Sequence, residues 1–336
     1  MAYYTGTLAA TTTPASDMMT TLDPYITSNG FTFVETVTNG TNVTNVYKSP
    51  AANNTLSMDW YLFMNRTNTT ATTVGLGIAE AYNSTTHLAT KYAPYGVPTT
   101  ANTSDYTVSD SGVTPYSVTL GAGIFYSNTG FVGLTTTGTK TWYFNVTADR
   151  VICGLSTTAG GSTSSCTYAG ICDPLIDNWN VVLFTGQAGY GASASSSYAA
   201  TTRDYGLNAT VSTSTNGAYA WHAVVVGGSG SSYFGYGLGN YTPGATAGPG
   251  TAADVTYGNG LYRPSRLPIS GRGSISNAIG LLKDMILLAT SVSYTTTIAG
   301  GDTVAVTSSA GTLNYVRPDS SSLGTAGYYG YWIPKQ

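Results

Sequence analysis

The sequence predicts a mostly β protein: an antiparallel β-sandwich-like architecture with one short N-terminal helix and long Gly/Ser/Thr-rich loops. Three observations predict it. Runs of β-branched and aromatic residues recur with a period near two, which places alternate side chains on opposite faces of a sheet. Turn-forming pairs such as Asn39-Gly40 separate these runs. Helical spacing is clear only near the N-terminus, where Met18, Met19, Leu22, Tyr25 and Ile26 form one stripe.

Pro14-Ala15-Ser16-Asp17 starts that helix, with Ser16 or Asp17 placed to cap its free N–H groups, and Asn29-Gly30 ends it. Pro24 interrupts the middle, so the helix is expected to be short, kinked or broken in two, with its stripe docked on the sheet. Phe31, Phe33 and Glu35 then alternate with Thr32, Val34 and Thr36 up to the Asn39-Gly40 turn. Asp59–Met64 and Thr73–Tyr82 are further strands, and the glycines of the second suggest a bulge or a close backbone approach. Lys91–Pro115 is a long loop or a run of short pieces.

The clearest hairpin joins Lys140–Thr147 to Arg150–Leu155 through Ala148-Asp149. Strands follow at Val181–Phe184 and Trp221–Val226, and a Gly/Ser/Tyr-rich tract fills Gly227–Gly260. Asn277–Thr290 fits a helix or a buried strand; the run Asp284–Thr290 followed by alternating Ser and Thr selects strand. Gly301–Val306 and Tyr328–Ile333 form a final meander. The chain divides into 1–121, a helix plus β region; 122–274, a central β region with the Gly/Ser/Tyr insert; and 275–336, a C-terminal β region, unless it is one continuous domain.

Charge sets the functional bounds. Only 8% of the 336 residues are charged, against about 25% in a typical domain. Fifteen acidic residues, twelve basic residues and two histidines are spread over the whole length. Such a surface suits burial against other subunits better than acid/base chemistry, and the net charge of -3 supplies no basic stripe for nucleic acid. No apolar run reaches the roughly 18 residues of a membrane span, and the opening Met1–Gly6 lacks the regions of a signal peptide, so synthesis in the cytoplasm without the usual export is expected.

Candidate chemistry is sparse, and no catalytic, cofactor-binding or metal-binding residue is assigned. His87 lies in a polar turn and His222 opens an apolar strand; a solvated loop and a sheet position account for them. Asp173 and Asp177 are the nearest approach to a carboxylate pair, yet Pro174 and Asn178 beside them mark turn and capping roles. Gly186–Gly191 and Gly235–Asn240 lack the lysine of a phosphate loop. Arg263, Arg266 and Arg272 form the one basic cluster and read as a subunit contact or salt-bridge donors.

Cys153, Cys166 and Cys172 have no zinc spacing; they read as buried free thiols, with a small Cys166–Cys172 disulfide as the rival. Asn-x-Ser/Thr triplets at Asn39, Asn42, Asn53, Asn65, Asn68, Asn83, Asn102, Asn145, Asn208 and Asn240 read as products of Thr-rich composition, not as glycosylation sites.

Several segments taken together resemble virion structural proteins of tailed bacteriophages: Tyr3-Tyr4-Thr5-Gly6-Thr7, Asn29-Gly30-Phe31, Trp60-Tyr61-Leu62, Val74-Gly75-Leu76-Gly77-Ile78, Trp142-Tyr143-Phe144 through Arg150-Val151-Ile152, Tyr168–Leu175, Gly301-Asp302-Thr303 and Tyr328–Trp332. The order of elements covers most of the chain, although each motif is short. The chain departs from the pattern in its Thr content and in the insert at Gly227–Gly260.

The resemblance implies a non-enzymatic tail, baseplate or neck/collar component, late in expression and located in the virion, assembled in the host cytoplasm. Its expected partners are copies of itself and other virion proteins, with no cofactor, nucleic acid or membrane insertion. Alternatives are a tail-tip protein that binds host surface glycans or depolymerises them, which predicts exposed aromatic residues and Asp in one groove, and a cell-surface array protein, which the missing export signal disfavours.

Overall fold

The computed structural model describes residues 2–66, 68–79, 81–91, 116–119, 130–132, 134, 138–157, 164–174, 182–190, 219–225, 236–237, 264–271, 278–289, 301, 303–308, 311–318 and 329–335. Among them the protein is mostly β, with antiparallel pairing throughout and one helix, as the sequence predicts.

The strands form three sheets. The smallest holds β6 (Ala81–Asn83), β7 (Leu88–Lys91) and β8 (Tyr116–Thr119). A five-stranded sheet runs β2 (Thr32–Asn39), β3 (Asn42–Ser49), β4 (Trp60–Arg66), β5 (Thr73–Ala79), β9 (Gly130–Val132). The large sheet starts at β1 (Ala2–Leu8), continues through β10 (Lys140–Thr147), β11 (Arg150–Thr157) and β12 (Ser164–Pro174), and crosses to β17 (Ala278–Ala289) and β20 (Tyr329–Pro334). It ends with β19 (Gly311–Val316) and β18 (Thr303–Ser308). A branch carries β13 (Val182–Tyr190) and β14 (Tyr219–Val225) from β12, and another carries β15 (Tyr236–Gly237) and β16 (Pro264–Gly271) from β17.

The core lies where α1 (Pro14–Thr27) and the five-stranded sheet pack on β1 and β10–β12. Met18, Met19, Leu22 and Ile26 from the helix meet Tyr47, Leu62, Met64, Leu76 and Ile78 from one sheet and Trp142, Phe144, Val151, Cys153 and Leu155 from the other. Burying a side chain such as Phe144 or Leu155 completely contributes about 1.5–3 kcal/mol. Aromatic pairs fix the seam: Tyr4 stacks on Tyr25 at 4.1 Å, and Phe31 meets Trp60 edge-on at 5.3 Å.

Several expectations change in detail. Pro24 neither breaks nor divides α1. It sits in the last turn, where its missing N–H removes a single i to i−4 bond, and Ser28 N–H still closes on the Pro24 carbonyl. The N-cap is Thr13, not Ser16 or Asp17; its side chain caps no backbone N–H, and its hydroxyl donates to the Asp17 carboxylate instead. Of the two readings of the β5 glycines, a bulge or a close backbone approach, the bulge does not occur, since β5 pairs with β4 without a register shift. A bulge lies instead in β2, where Phe33 pairs with Tyr47 and Glu35 with Val46. Strands β1, β12, β16 and β19 exceed what the sequence reading marked. Of the loop expected over Lys91–Pro115, residues 92–115 lie outside the described residues, as does most of the Gly227–Gly260 tract.

The β10–β12 part of the large sheet is covered on both faces. Opposite the core, Tyr143, Asn145, Ile152 and Tyr168 are buried under the C-terminal segment. Asn145 Nδ2 donates to the Pro334 carbonyl at 2.7 Å. Gly154 permits this close approach, because a Cβ there would stand 2.5 Å from Pro318 Cβ and 2.9 Å from Ile333 Cδ1.

Candidate functional site

Opposite charges stand side by side at Asp149-Arg150 and at Lys283-Asp284. The fold brings the two pairs together crosswise. The β10–β11 turn presents Asp149 and Arg150, and β17 presents Lys283 and Asp284 where its pairing with β16 slips and Asp284 adopts a positive φ of 60°. Arg150, 1% exposed, donates from Nε (3.1 Å) and Nη2 (2.8 Å) to Asp284 Oδ2, and from Nη1 (2.6 Å) to Asn145 Oδ1. Lys283 Nζ reaches Asp149 Oδ2 at 2.8 Å, Thr55 Oγ1 at 2.6 Å and Asp173 at 3.8 Å.

The loop between β3 and β4 closes the other side. Thr55 N–H and its hydroxyl both donate to the Asp149 carboxylate, and Ser49 Oγ and Trp60 Nε1 both donate to the Ala148 carbonyl. Behind the turn, Ile171 N–H bonds to Asp149 O, and Gly170 allows it: at φ 148° its missing Cβ would collide with Asp149 O and Arg150 Cα. Burial pushes the Asp149 carboxyl upward, but hydrogen bonds from Lys283 and Thr55 and the Lys283 charge outweigh it, leaving its pKa below the usual carboxylate range. These groups satisfy one another. The hub clamps three segments of chain.

A second cluster surrounds His87. The β2 bulge sends Glu35 to the face away from the core. There Tyr82 O–H donates to Glu35 Oε1 at 2.7 Å, and His87 Nδ1 lies 3.3 Å from the same oxygen. Burial and the adjacent carboxylate raise the Tyr82 pKa. His87 lies in the polar turn expected, with its side chain 42% exposed, and from there it tethers the β6–β7 turn to β2.

A third feature is an open groove of about 280 Å³ between α1 and the β2–β4 strands, lined in part by Asp23, Phe33, Asn45 and Arg66.

The other residues singled out in the sequence disperse. His222 sits in β14 opposite Thr185. Asp173 joins the Lys283 neighbourhood, while Asp177 lies outside the described residues, as do Arg263 and Arg272; Arg266 falls in β16. Cys153 is buried and free, and burial raises its thiol pKa. Cys166 and Cys172 occupy one extended strand, β12, about 20 Å apart at ~3.3 Å per residue. They cannot bridge each other, which corrects the disulfide alternative. Asn145 and Asn65 are buried, so those two triplets cannot carry glycans.

The Arg150–Asp284 and Lys283–Asp149 contacts escaped the sequence reading. The available signal was the adjacency of opposite charges in a charge-poor chain, but Arg203-Asp204 shares it and only the fold selects partners. Among the described residues no group of three His, Cys, Asp or Glu side chains could hold a metal ion, and no helix is long and apolar enough to cross a membrane. No protein-family model matches the chain, and no curated protein matches it as a relative.

Proposed function

We propose that this chain is a structural subunit of a tailed-bacteriophage particle, assembling as a symmetric oligomer in the tail, baseplate or neck/collar and carrying no catalytic activity. The observation that carries the reading is the character of the sheet edges. Among the described strands, β1 and β18 end the main path of the large sheet, beside the branch ends β14 and β15, and neither Ala2–Leu8 nor Thr303–Ser308 contains a charge or a proline. Soluble monomers protect such edges with Lys, Pro or bulges; a plain edge suits pairing with a neighbouring chain. Two different edges on one subunit support a head-to-tail contact, which closes into a ring when the rotation permits.

The use of charge supports the same reading. In a chain with only 8% charged residues, Arg150 and Lys283 are committed to internal contacts, which lowers further the charge left for the surface, as suits a subunit that is buried among copies of itself. The resemblance of the aromatic and glycine-rich segments to virion proteins supports the location.

The test is light scattering and negative-stain microscopy of the full chain. Rings or tubes are expected, and a variant carrying Ala305→Lys and Thr307→Lys, both on exposed positions of β18, is expected to dissociate them with the fold intact. A wild-type chain that stays monomeric at about 100 µM, far above the ~1 µM Kd of an ordinary specific contact, refutes the assembly reading.

A further inference from the structure

We infer that the groove between α1 and the β2–β4 strands is a binding site for a neutral saccharide ring. The inference is independent of the assembly proposed above. Among the described residues, Phe33 and Met58 are the large apolar side chains left exposed, and Phe33, 43% exposed, lines this groove. Its ring rests edge-on against fully buried Tyr47 at 5.8 Å, so an apolar platform is held in place with one face toward solvent. Sugar C–H faces stack on such rings, and polar groups beside the ring fix the orientation.

The polar side of the groove is ordered in advance. Thr36 Oγ1 donates to Asn45 Oδ1 at 2.9 Å, Asn45 Nδ2 to the Tyr47 hydroxyl at 3.3 Å, and that hydroxyl to Asp23 Oδ1 at 2.5 Å. Asp23 Oδ2 carries no protein partner among the described residues, and Arg66 spends one N–H on the Thr41 carbonyl at 3.2 Å, keeping others. Asp23 and Arg66 line the same groove without forming an ion pair. An acceptor and a donor set apart in this way match neighbouring hydroxyls, each of which donates and accepts. The carboxylate disfavours an anionic ligand and the guanidinium a cationic one, and a neutral polyhydroxylated ring uses both groups while its C–H face covers Phe33.

The β2 bulge builds the site. In a regular strand Phe33 and Thr36 would face opposite sides; with the register shift at Val34 both line the groove.

The test is saturation-transfer NMR and titration of the full chain with methyl glycosides of glucose, galactose, mannose and N-acetylglucosamine, with glucuronic acid and glucosamine as charged probes. Saturable binding of at least one neutral glycoside is expected, with a Kd of about 1 mM, weakened tenfold or more by Phe33→Ala and by Arg66→Gln. Phe33→Leu keeps the apolar bulk and removes the ring, so it checks the stacking should the alanine variant lose its fold. Three results overturn the inference: no saturable signal with any neutral glycoside up to about 100 mM, affinity unchanged in the folded Phe33 variants, or preference for a charged probe. The readout is taken on whichever oligomer the chain forms, so failure here and failure of the assembly reading are separate results.

Discussion

Replacing Arg150 with Met tests whether the crossed charge pairs hold the molecule together. The substitution keeps an unbranched apolar stem and removes at least three hydrogen bonds, two to Asp284 Oδ2 and one to Asn145 Oδ1. Breaking a buried ion pair by removing one partner costs about 3–5 kcal/mol. The Asp284 side chain is 36% exposed, so water recovers part of its carboxylate, and about 3 kcal/mol is the better figure for that loss. Losing the charged donor to buried Asn145 adds ~1 kcal/mol. With an unfolding entropy of roughly 2.1 cal/mol/K per residue, a loss of about 4 kcal/mol lowers the melting temperature by about 6 °C if the chain unfolds as one unit.

Differential scanning calorimetry, with near-ultraviolet circular dichroism to confirm a native starting state, measures the shift. Asp284→Asn takes the carboxylate away from the buried guanidinium instead, and the double variant is expected to lose less than the sum of the two single losses. An Arg150→Met protein melting within about 1 °C of the wild type, with strictly additive losses in the double variant, would refute the reasoning.

Acid is expected to loosen the same hub. The Asp149 pKa is depressed in the folded state, so the folded protein binds fewer protons than the unfolded chain near its ordinary value of about 3.9. The stabilisation is complete above that value and is lost as pH falls through the folded one. Urea midpoints measured from about pH 6 downward should therefore drop below about pH 4, and less steeply in Asp149→Asn. The Cys153 thiol, buried and with a raised pKa, should resist iodoacetamide in the native protein at about pH 8 and react fully in denaturant, as peptide mass mapping of its tryptic fragment will show.

The sequence made the fold class legible because its local signals agreed. The β10–β11 hairpin combined dense β-branched and aromatic arms with a two-residue turn, and helix α1 combined a proline start with an apolar stripe. Pro24 does not divide the helix because it is the fourth residue from the end, where few bonds remain beyond it to lose, so of the outcomes expected for it the break does not occur. The β2 bulge was hidden because Phe31, Phe33 and Glu35 keep a formal alternation while the backbone breaks it. Little of the sites was visible. Asp149 and Lys283 are 134 residues apart, and nothing local to either names the other. The alternation puts Phe33 and Thr36 on opposite faces of a strand, and only the register shift between Phe33 and Glu35 brings both to the groove.

The pairing of β1 with β10 also fixes a schedule. Ala2 faces Val146 and Leu8 faces Lys140, so β1 cannot find its partner until Lys140–Val146 have left the ribosome. At roughly 5–20 residues per second that wait lasts on the order of ten seconds. Throughout it Tyr3, Tyr4 and Leu8 sit on a segment with no charge to repel a sister chain emerging nearby. The strand proposed above as an assembly edge is thus also exposed to premature pairing, and expression at lower temperature, which slows aggregation along with synthesis, is the natural way to carry the nascent chain past that interval.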